Sequence, residues 1–314
     1  MQGVFGTQLR GMVLCAGMSS RLKDLGAELP KPLLPVCNHP LASYALSLLR
    51  GFGITEIGIN LFHLGELIAE TLGSGADYGV DIRYSQETEL LGTGGGIRRM
   101  ADFLTHGGRE PCFVVNGKIL IDVDLEAVLA MHRITGAAAT LVLAETADAD
   151  QWGAIEVDGD GRIHRMLGES SPTPPPKGLL RCMFTGVHIV EPSILDRLPK
   201  SGQSCIVRQG YLPALREGEV LTAYVTPGYF FEHSTPARYL QGNINALRGV
   251  ARLPHLPGPL VGVSARAQIS PRAVIRPPVC IGAGAVVEDG AVVGPDVVLG
   301  EGASTLLAFG GGAA

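Results

Sequence analysis

Short apolar runs alternate with amphipathic stretches from residue 11 to about residue 145. Runs such as GMVLCAG, ITEIGINL and CFVVN are typical of buried strands, whereas PLASYALSLLRGFG and DLEAVLAMHRITG have the spacing of amphipathic helices. Strands that alternate with helices predict a mainly parallel sheet covered by helices on both faces. The pattern therefore predicts a Rossmann-like α/β domain over residues 1–250.

The pattern changes after residue 153. AIEVDGDGRIHRML predicts two strands joined by a turn at Asp158 to Gly161, and RCMFTGVHIV predicts a further strand. PSILDRL and CIVRQGYLPAL are predicted to be helical, and GYFFEHSTPARYLQGNINAL predicts a strand followed by a helix that begins near Pro236. The proline-rich segment ESSPTPPPKG, residues 169–178, is predicted to be an exposed loop.

The C-terminal segment, residues 260–305, repeats an aliphatic residue at every sixth position. A six-residue period predicts a short left-handed parallel β-helix, in which these side chains fill the inside of each face. Such a coil needs about 18 residues, and stacked coils stabilise one another, so this segment is short for a free-standing solenoid. We expect it to dock on the main domain or to pair with another subunit in a homo- or hetero-oligomer. The repeating residues are Val263, Ile269, Ile275, Ile281, Val287, Val293 and Leu299.

Composition and charge narrow the class of protein. The net charge is -5 and basic clusters are absent from the sequence, which argues against a nucleic-acid surface. No apolar run approaches the roughly 18 residues of a membrane span. The start, MQGVFGTQLRGMVLCAG, resembles a first core strand more than a signal peptide, so we expect a cytoplasmic protein. The six cysteines form no C-x-x-C pair, which favours buried free thiols over disulfides or metal ligands.

Three segments carry candidate chemistry. LCAGMSSRLKDLGAELPKPLLPV, residues 14–36, combines small residues, which let backbone N–H groups approach phosphate, with the cations Arg21 and Lys31. LLGTGGGI, residues 90–97, opens a helix with backbone that can lie against a base or ribose. The third segment, FVVNGKILIDVDL, places Lys118 after a strand. Ligands of such sheets bind at the carboxyl ends of the strands, so CAGMSSR and NGK are predicted to face one crevice. Each glycine-rich loop is also compatible with a purely structural turn.

Together these segments resemble the sugar-1-phosphate nucleotidylyltransferases, and most closely the mannose-1-phosphate guanylyltransferase type. The family's opening motif, L-A-A-G-x-G-T-R-L followed by P-K-P-L-L-P-V, is similar to residues 14–36. The resemblance continues through SQETELLGTGGGI, VVNGKILIDVDL, WGAIEVDGDGRI, FTGVHIV and GYFFEHSTPARYL. It implies a nucleotide and a sugar phosphate as ligands, and transfer of a nucleotidyl group from a nucleoside triphosphate to a sugar 1-phosphate.

The resemblance also implies roles for individual residues. Arg21 and Lys31 would hold the phosphates, and Glu87 would select GTP, because guanine presents two donors that suit a carboxylate. The sugar would lie near Asn116, Gly117, Thr185 and Gly186. The nucleoside would be bound by Leu14, Ala16, Gly17, Ser19, Ser20, Gly92, Thr93 and Gly94.

Four departures from the family's pattern affect this picture. The family has N-G-D where this chain has Asn116, Gly117 and Lys118, and that aspartate holds Mg²⁺ with a second one from a D-I-G-T-P motif, where this chain has Glu232. The resemblance therefore implies Mg²⁺, whereas the Lys118 ammonium should repel it. Ser19 replaces a glycine, and the family's E-K-P segment is GES, residues 168–170, with Lys177 as the nearest substitute.

Several alternatives stay open at this point. The chain is either an active transferase, in which Lys118 steadied by Glu232 neutralises phosphate in place of Mg²⁺, or an inactive relative that binds a nucleotide or nucleotide sugar and regulates a partner. In a third alternative Lys118 lies in solvent and Asp122 or Asp124 approaches the metal, although Asp124 also suits a helix N-cap. A scaffold built around the C-terminal repeat is a further alternative.

Overall fold

A ten-stranded mixed sheet forms the centre of the molecule. The computed structural model describes residues 9–18, 29–146 and 149–305. The strands before the C-terminal repeat are β1 (Arg10–Leu14), β2 (Pro35–Val36), β3 (His39–Pro40), β4 (Glu56–Leu61), β5 (Asp81–Gln86), β6 (Cys112–Asn116), β7 (Ile119–Ile121), β8 (Ala139–Glu145), β9 (Ile155–Val157), β10 (Ile163–Met166), β11 (Glu169–Ser170), β12 (Leu180–Val190), β13 (Leu221–Thr226) and β14 (Phe230–Glu232).

The sheet is parallel on one side and largely antiparallel on the other. β1 lies between β4 and β6 and is parallel to both, and β5 continues the parallel part beyond β4. β12 runs antiparallel to β6, β8 and β9. β9 and β10 are also antiparallel, because the predicted turn joins them: the Asp158 carboxylate accepts from the backbone N–H of Arg162 at 2.8 Å, and Gly161 has a φ of 83°. The prediction of a mixed α/β sheet is confirmed.

Helices cover the sheet. Two of the three longest begin at a capping side chain: the Asp124 carboxylate accepts from the backbone N–H of Ala127 at 3.0 Å, and the Thr235 hydroxyl accepts from that of Arg238 ahead of Pro236. The α-helices are α1 (Leu41–Gly51), α2 (Gly65–Leu72), α3 (Gly92–Arg99), α4 (Ala101–Leu104), α5 (Leu125–Thr135), α6 (Pro192–Asp196), α7 (Leu212–Arg216) and α8 (Pro236–Leu247), with shorter 3₁₀ turns at Lys31–Leu33, Ala76–Tyr78 and Ala149–Trp152 and a π-helical segment at Ile206–Tyr211.

Strand β13 is absent from the sequence-based prediction. Its segment, LTAYVT, has a polar residue at an inward position, which breaks the apolar alternation that marks a strand. Thr222 is buried there because its hydroxyl bonds to the Thr140 hydroxyl of β8 at 2.8 Å. The helix that LLGTGGGI opens begins at Gly92 and is interrupted at Met100.

The parallel strands are buried on both faces, so neighbouring residues belong to different hydrophobic clusters. Val13 of β1 packs with Ile57 and Phe113 in one cluster, whereas Met12 packs with Val114 in the other. Strands of this kind appear in the sequence as nearly continuous apolar runs, as GMVLCAG and CFVVN do. All six cysteines are free thiols and five are buried, as the sequence predicts.

The C-terminal repeat forms three small parallel sheets. Gly262 pairs with Cys280 and Val274 with Val292, so partners lie 18 residues apart. Ile281 and Val287 of the six-residue period are 2% and 1% exposed, respectively. Such pairing is expected of a chain that returns to the same face once per coil. The strands are β15 (Gly262–Val263), β16 (Gln268–Ile269), β17 (Val274–Ile275), β18 (Val279–Ile281), β19 (Val286–Val287), β20 (Val292–Val293) and β21 (Val297–Leu299).

The repeat docks on the main domain of the same chain. Cys280 of β18 belongs to a hydrophobic cluster with Cys37, Leu41 and Ala246. The Asn38 side chain donates to the Leu299 carbonyl at 3.0 Å. Docking on the main domain was one of the two arrangements expected for so short a repeat, and pairing with another subunit stays a prediction.

Two adjacent valines of β20 test the inward orientation of the repeat. Val293 is 4% exposed and Val292 is 55% exposed. Val293→Ala should lower the free energy of unfolding by about 2 kcal/mol, because two buried methyl groups are lost and a cavity remains. Val292→Ala should change it by less than about 0.5 kcal/mol. Urea unfolding followed by circular dichroism measures both values, and equal losses would contradict the orientation.

Candidate functional site

The two loops predicted to share a crevice lie side by side. Leu14 at the end of β1 pairs with Asn116 at the end of β6, and the Gly117 N–H donates to the Leu14 carbonyl at 3.0 Å. A Cβ atom on Gly117 would lie 2.8 Å from the Cys15 sulfur, so a side chain here would push the loops apart. Gly117 therefore fixes the short distance between the CAG and NGK loops.

A cavity of about 370 Å³ opens above these loops. Lys31, which is buried in its 3₁₀ turn, and Lys118 both line it. Ser19, Ser20 and Arg21 lie outside the described residues. The structure thus brings two predicted cations together with both small-residue loops. The lining residues are Leu14, Cys15, Ala16, Gly17, Met18, Lys31, Pro32, Asn60, Leu90, Gly92, Thr93, Asn116 and Lys118.

The glycine-rich loop at the start of α3 is held by close packing. The Gly94 N–H donates to the Ser204 carbonyl at 2.9 Å, and the Thr93 hydroxyl accepts from the Ile206 N–H at 3.2 Å. A Cβ atom on Gly92 would lie 2.5 Å from the Ser204 carbonyl oxygen, and Gly92 has a φ of 71°. Glycine is therefore required here for packing, as well as for any approach of a ligand.

Glu87 lies behind the wall of this cavity. It is 2% exposed, and its carboxylate accepts from the Asn60 side-chain amide at 2.8 Å and from the Leu91 N–H at 2.9 Å. The Asn60 oxygen in turn accepts from the Cys15 N–H at 3.0 Å. Glu87 and Asn60 thereby tie the start of the glycine-rich loop to the end of β1.

Asn60 lines the cavity and was missed by the sequence analysis. The signal that would have found it is a carboxamide within the otherwise apolar end of ITEIGINL. A buried amide without partners costs free energy, so an asparagine in such a strand indicates a hydrogen-bonded position.

Thr185 and Gly186 form an irregular point in β12. The Thr185 hydroxyl donates to the Val142 carbonyl at 2.7 Å and is buried. Gly186 has a φ of 88°, and a Cβ atom there would lie 1.9 Å from the Asn116 side-chain nitrogen. Gly186 therefore makes the space that Asn116, which lines the cavity, occupies.

Lys118 forms an ion pair with Glu232. The Lys118 ammonium lies 2.7 Å from a Glu232 carboxylate oxygen, and the two side chains are 32% and 12% exposed. The pair forms because β14 lies antiparallel to β7 with Glu232 opposite Ile119, and the His233 N–H donates to the Lys118 carbonyl. Lys118 is thus a positioned cation, partly shielded from water.

The residues present do not fit the Mg²⁺ site that the family resemblance implies. Mg²⁺ prefers octahedral oxygen ligands, but Glu232 is bonded to an ammonium. Within residues 9–18, 29–146 and 149–305, no group of three His, Cys, Asp or Glu side chains is arranged to hold a metal ion. Asp124 caps α5. Asp122 and Asp124 both line a different cavity, beside Phe52 and His255.

A second cavity, of about 650 Å³, is lined by Glu232. Because Lys118 lines the first cavity and Glu232 the second, the two cavities meet at the ion pair. Arg238 of α8 lines the second cavity, and its Nε–H donates to the Glu232 carbonyl at 2.8 Å. Sequence analysis missed Arg238. Its only signal was a cation two residues after the predicted start of a helix.

His233, next to Glu232, adds no charge to the site at neutral pH. Burial lowers the pKa of its imidazole to about 4, and the ring is fully buried. Within the described part of the chain, neither ring nitrogen has a hydrogen-bond partner. A Cβ atom on Gly242 would lie 2.0 Å from the ring, so this glycine makes room for it.

Comparison with known proteins defines the class. The nucleotidyl transferase family model matches residues 10–200, and this chain belongs to that family. It is 29% identical to a mannose-1-phosphate guanylyltransferase of Mycobacterium tuberculosis, over 80% of this chain and 68% of the relative. It is 28% identical to a probable mannose-1-phosphate guanylyltransferase 2 of Arabidopsis thaliana, over 86% of this chain and 76% of the relative. The predicted sugar-1-phosphate nucleotidyltransferase family is confirmed.

Solved structures share the fold. HddC from Yersinia pseudotuberculosis complexed with GMP-PN superposes with a TM-score of 0.61 at 19% identity, over 75% of this chain and 98% of that one. A putative glucose-1-phosphate thymidylyltransferase from Bacillus anthracis gives a TM-score of 0.62 at 21% identity, over 78% of this chain and 95% of that one. Among the residues that the structure describes, no helix is long and apolar enough to span a membrane.

Two glycines with similar backbone conformation test the contact beneath Asn116. Gly186 and Gly178 have φ values of 88° and 80°, and only Gly186 has neighbours that an added Cβ atom would meet. Alanine at either position should cost about 1–2 kcal/mol of unfolding free energy through backbone strain. Gly186→Ala should cost about 1–3 kcal/mol more, because Asn116 must move. Urea unfolding measures the difference, and equal losses would show that the contact with Asn116 is unimportant.

Proposed function

We propose that this chain transfers a nucleotidyl group from a nucleoside triphosphate to a sugar 1-phosphate. The observation that carries the proposal is the joining of two cavities at a positioned cation, Lys118. One cavity is bounded by the small-residue loops and Lys31, a combination that suits a chain of phosphates. The other is larger and more polar, which suits a sugar. Membership of the nucleotidyl transferase family supports the same reaction class.

In the proposed reaction an oxygen of the sugar phosphate attacks the α-phosphorus of the triphosphate. The bond between that phosphorus and the oxygen bridging to the β-phosphorus breaks, and pyrophosphate leaves. Positioning and charge neutralisation supply most of the catalysis in such transfers. Lys31 and Lys118 would neutralise phosphate oxygens, and Arg21 would add a third cation. A lysine serves as a point charge toward phosphate, but it cannot bridge ligands as a metal ion does. We therefore expect slow turnover.

We infer GTP as the nucleotide from the relatives, which are named as mannose-1-phosphate guanylyltransferases. The Glu87 carboxylate is not placed to bind guanine itself, because one of its oxygens accepts a hydrogen bond from Asn60 and the other accepts one from Leu91. Glu87 would then act by orienting Asn60, which lines the cavity. Mannose 1-phosphate is the first acceptor to test.

A second candidate function is binding of a nucleotide or nucleotide sugar without transfer. The Lys118–Glu232 pair favours it, since the pair engages the carboxylate at the position where the resemblance implies a metal ligand. A protein of this kind would regulate a partner through the bound ligand. For the C-terminal repeat we propose a left-handed parallel β-helix, which the 18-residue offset between paired strands supports.

Pyrophosphate release separates the two candidates. Purified protein with GTP and mannose 1-phosphate should release pyrophosphate, and the rate should persist in EDTA because Lys118 is the cation. Lys118→Asp should lower the rate on the order of a hundredfold to a thousandfold in EDTA, the effect of losing one electrostatic stabiliser of a transition state.

Lys200→Asp is the matched control, since it makes the same change of charge at an exposed lysine that lines neither cavity. Its rate should equal that of the unmodified chain. If the unmodified chain releases no detectable pyrophosphate, and Lys118→Asp releases it once Mg²⁺ is added, transfer by this chain is contradicted. That result would favour the binding function instead.

A further inference from the structure

We propose that Cys37 and Cys280 form an oxidant-responsive dithiol, and that their disulfide fastens the C-terminal repeat to the main domain. Cys37 lies in the turn between β2 and β3, and Cys280 lies in β18 of the repeat. The oxidant belongs to the class of peroxides. This inference does not depend on the proposed function, because its tests measure sulfur chemistry and backbone protection and not nucleotidyl transfer.

The two thiols meet where the repeat docks on the main domain. Cys37 and Cys280 belong to one hydrophobic cluster, and their side chains are hydrogen-bonded to each other. The Asn38 amide donates to the Cys280 sulfur at 3.3 Å and to the Leu299 carbonyl at 3.0 Å, which holds the turn against the repeat. Sulfur atoms at hydrogen-bond distance need only a small movement of short side chains to reach the roughly 2.05 Å of a disulfide bond.

The turn that carries Cys37 has a backbone conformation that cysteine rarely adopts. Cys37 and Asn38 have φ values of 47° and 65°, and a two-residue hairpin turn requires such values at both positions. Asparagine is enriched in this left-handed region, whereas most other residues with a Cβ atom are disfavoured there. The Cys37 N–H donates to the Asn243 side-chain oxygen at 2.9 Å, which fixes the turn. Cysteine is thus an unfavourable residue for the turn itself, and its place beside Cys280 supplies a reason for it.

Cys280 is the thiol that reacts first. Its pKa is lowered to about 7, because the Cys37 thiol and the Asn38 amide donate hydrogen bonds to its sulfur. The same contact raises the pKa of Cys37, which keeps its proton. Burial raises the pKa of Cys112 to about 12 and that of Cys182 to about 11. The thiolate is the nucleophile in thiol oxidation, so Cys280 is the reactive member of the pair.

A cavity of about 440 Å³ gives a small oxidant access to the pair. Cys37 and Cys280 both line it, although they are only 0% and 7% exposed. Hydrogen peroxide is uncharged and little larger than water, so it fits such a space. The recessed position keeps out the thiol of a second protein, and we therefore expect the disulfide within one chain.

The chemistry takes two steps. The Cys280 thiolate attacks one oxygen of the peroxide, the O–O bond breaks, and hydroxide leaves while a sulfenic acid forms on Cys280. The Cys37 sulfur then attacks the Cys280 sulfur, the S–O bond breaks, and the hydroxyl leaves as water with the Cys37 proton. Two thiols are oxidised to one disulfide, and one hydrogen peroxide is reduced to two waters.

The disulfide would strengthen the attachment of the repeat. One polar contact between the repeat and the main domain joins the Arg248 Nε to the Asp296 carboxylate at 2.9 Å, and Arg248 is exposed. Ion pairs of this kind contribute little to stability. A covalent bond between residues far apart in the sequence restricts the open chain strongly. Oxidation should therefore suppress opening of the repeat, and reduction should restore it.

Peptide mapping of the full chain tests the bond. After treatment with hydrogen peroxide, alkylation and digestion without reductant, mass spectrometry should find the Cys37 peptide joined to the Cys280 peptide, and dithiothreitol should separate them. Cys37→Ser should leave a sulfenic acid on Cys280 that dimedone traps, whereas Cys280→Ser should leave Cys37 reduced. Cys205→Ser is the matched control, since Cys205 is more exposed than either thiol, and it should form the bond as the unmodified chain does.

Hydrogen exchange of the repeat tests the consequence. Amides of β18 and β21 should exchange more slowly by about tenfold or more in the oxidised chain than in the reduced chain. Peroxide should cause no such slowing in Cys37→Ser, whose own exchange pattern also reports whether the variant is folded.

Three results would overturn the proposal. The first is the absence of joined peptide in the unmodified chain, whether the two thiols stay reduced or are oxidised to sulfinic or sulfonic acid. The second is a disulfide in which another cysteine replaces Cys37 or Cys280. The third is a bond that forms and leaves exchange of the repeat unchanged. Mapping of the unmodified chain needs no variant, so it decides the first two results even where a serine variant does not fold.

Discussion

The ion pair between Lys118 and Glu232 is the interaction on which the site depends. Its partners are 114 residues apart in the sequence and 2.7 Å apart in space. The pair lies where β7, which follows the NGK loop, is hydrogen-bonded to β14, which precedes α8. Because the pair is partly shielded from water, removal of either partner would leave a charge that the surroundings no longer balance.

The pair also explains why this member of the family departs from the family's pattern at two places together. An ammonium at position 118, partly shielded from water, is balanced by the Glu232 carboxylate 2.7 Å away. The carboxylate at 232 is retained, but its partner is a lysine and not a metal ion. The fixed charges at this point of the site are therefore the Lys118 ammonium and the Glu232 carboxylate.

Around this pair the backbone is held by contacts that leave no room for side chains. Gly117 allows two strand ends to approach each other, Gly186 makes space for Asn116, and Gly92 lies against Ser204. Glu87 and Asn60 add a buried hydrogen-bonded link between the glycine-rich loop and β1. Such packing keeps the cavity formed in the absence of ligand. The entropic cost of ordering loops when a ligand binds is therefore smaller.

Much of the fold could be predicted because it depends on short-range patterns. Apolar runs gave the buried strands, Asp124 and Pro236 marked helix starts, and the six-residue period gave the parallel pairing of the C-terminal repeat. Strand β13 escaped because Thr222 is buried through a hydrogen bond to Thr140, and a partner 82 residues away leaves no local trace.

The sequence by itself determined the α/β class, the family, and the identity of the cations and small-residue loops that line the smaller cavity. Only the tertiary structure decided that Lys118 is paired with Glu232, that Glu87 is hydrogen-bonded to Asn60, and that Arg238 faces the larger cavity. The physical reason is distance along the chain: motifs record which groups are present, whereas charge balance and hydrogen bonding depend on which distant groups the fold brings into contact.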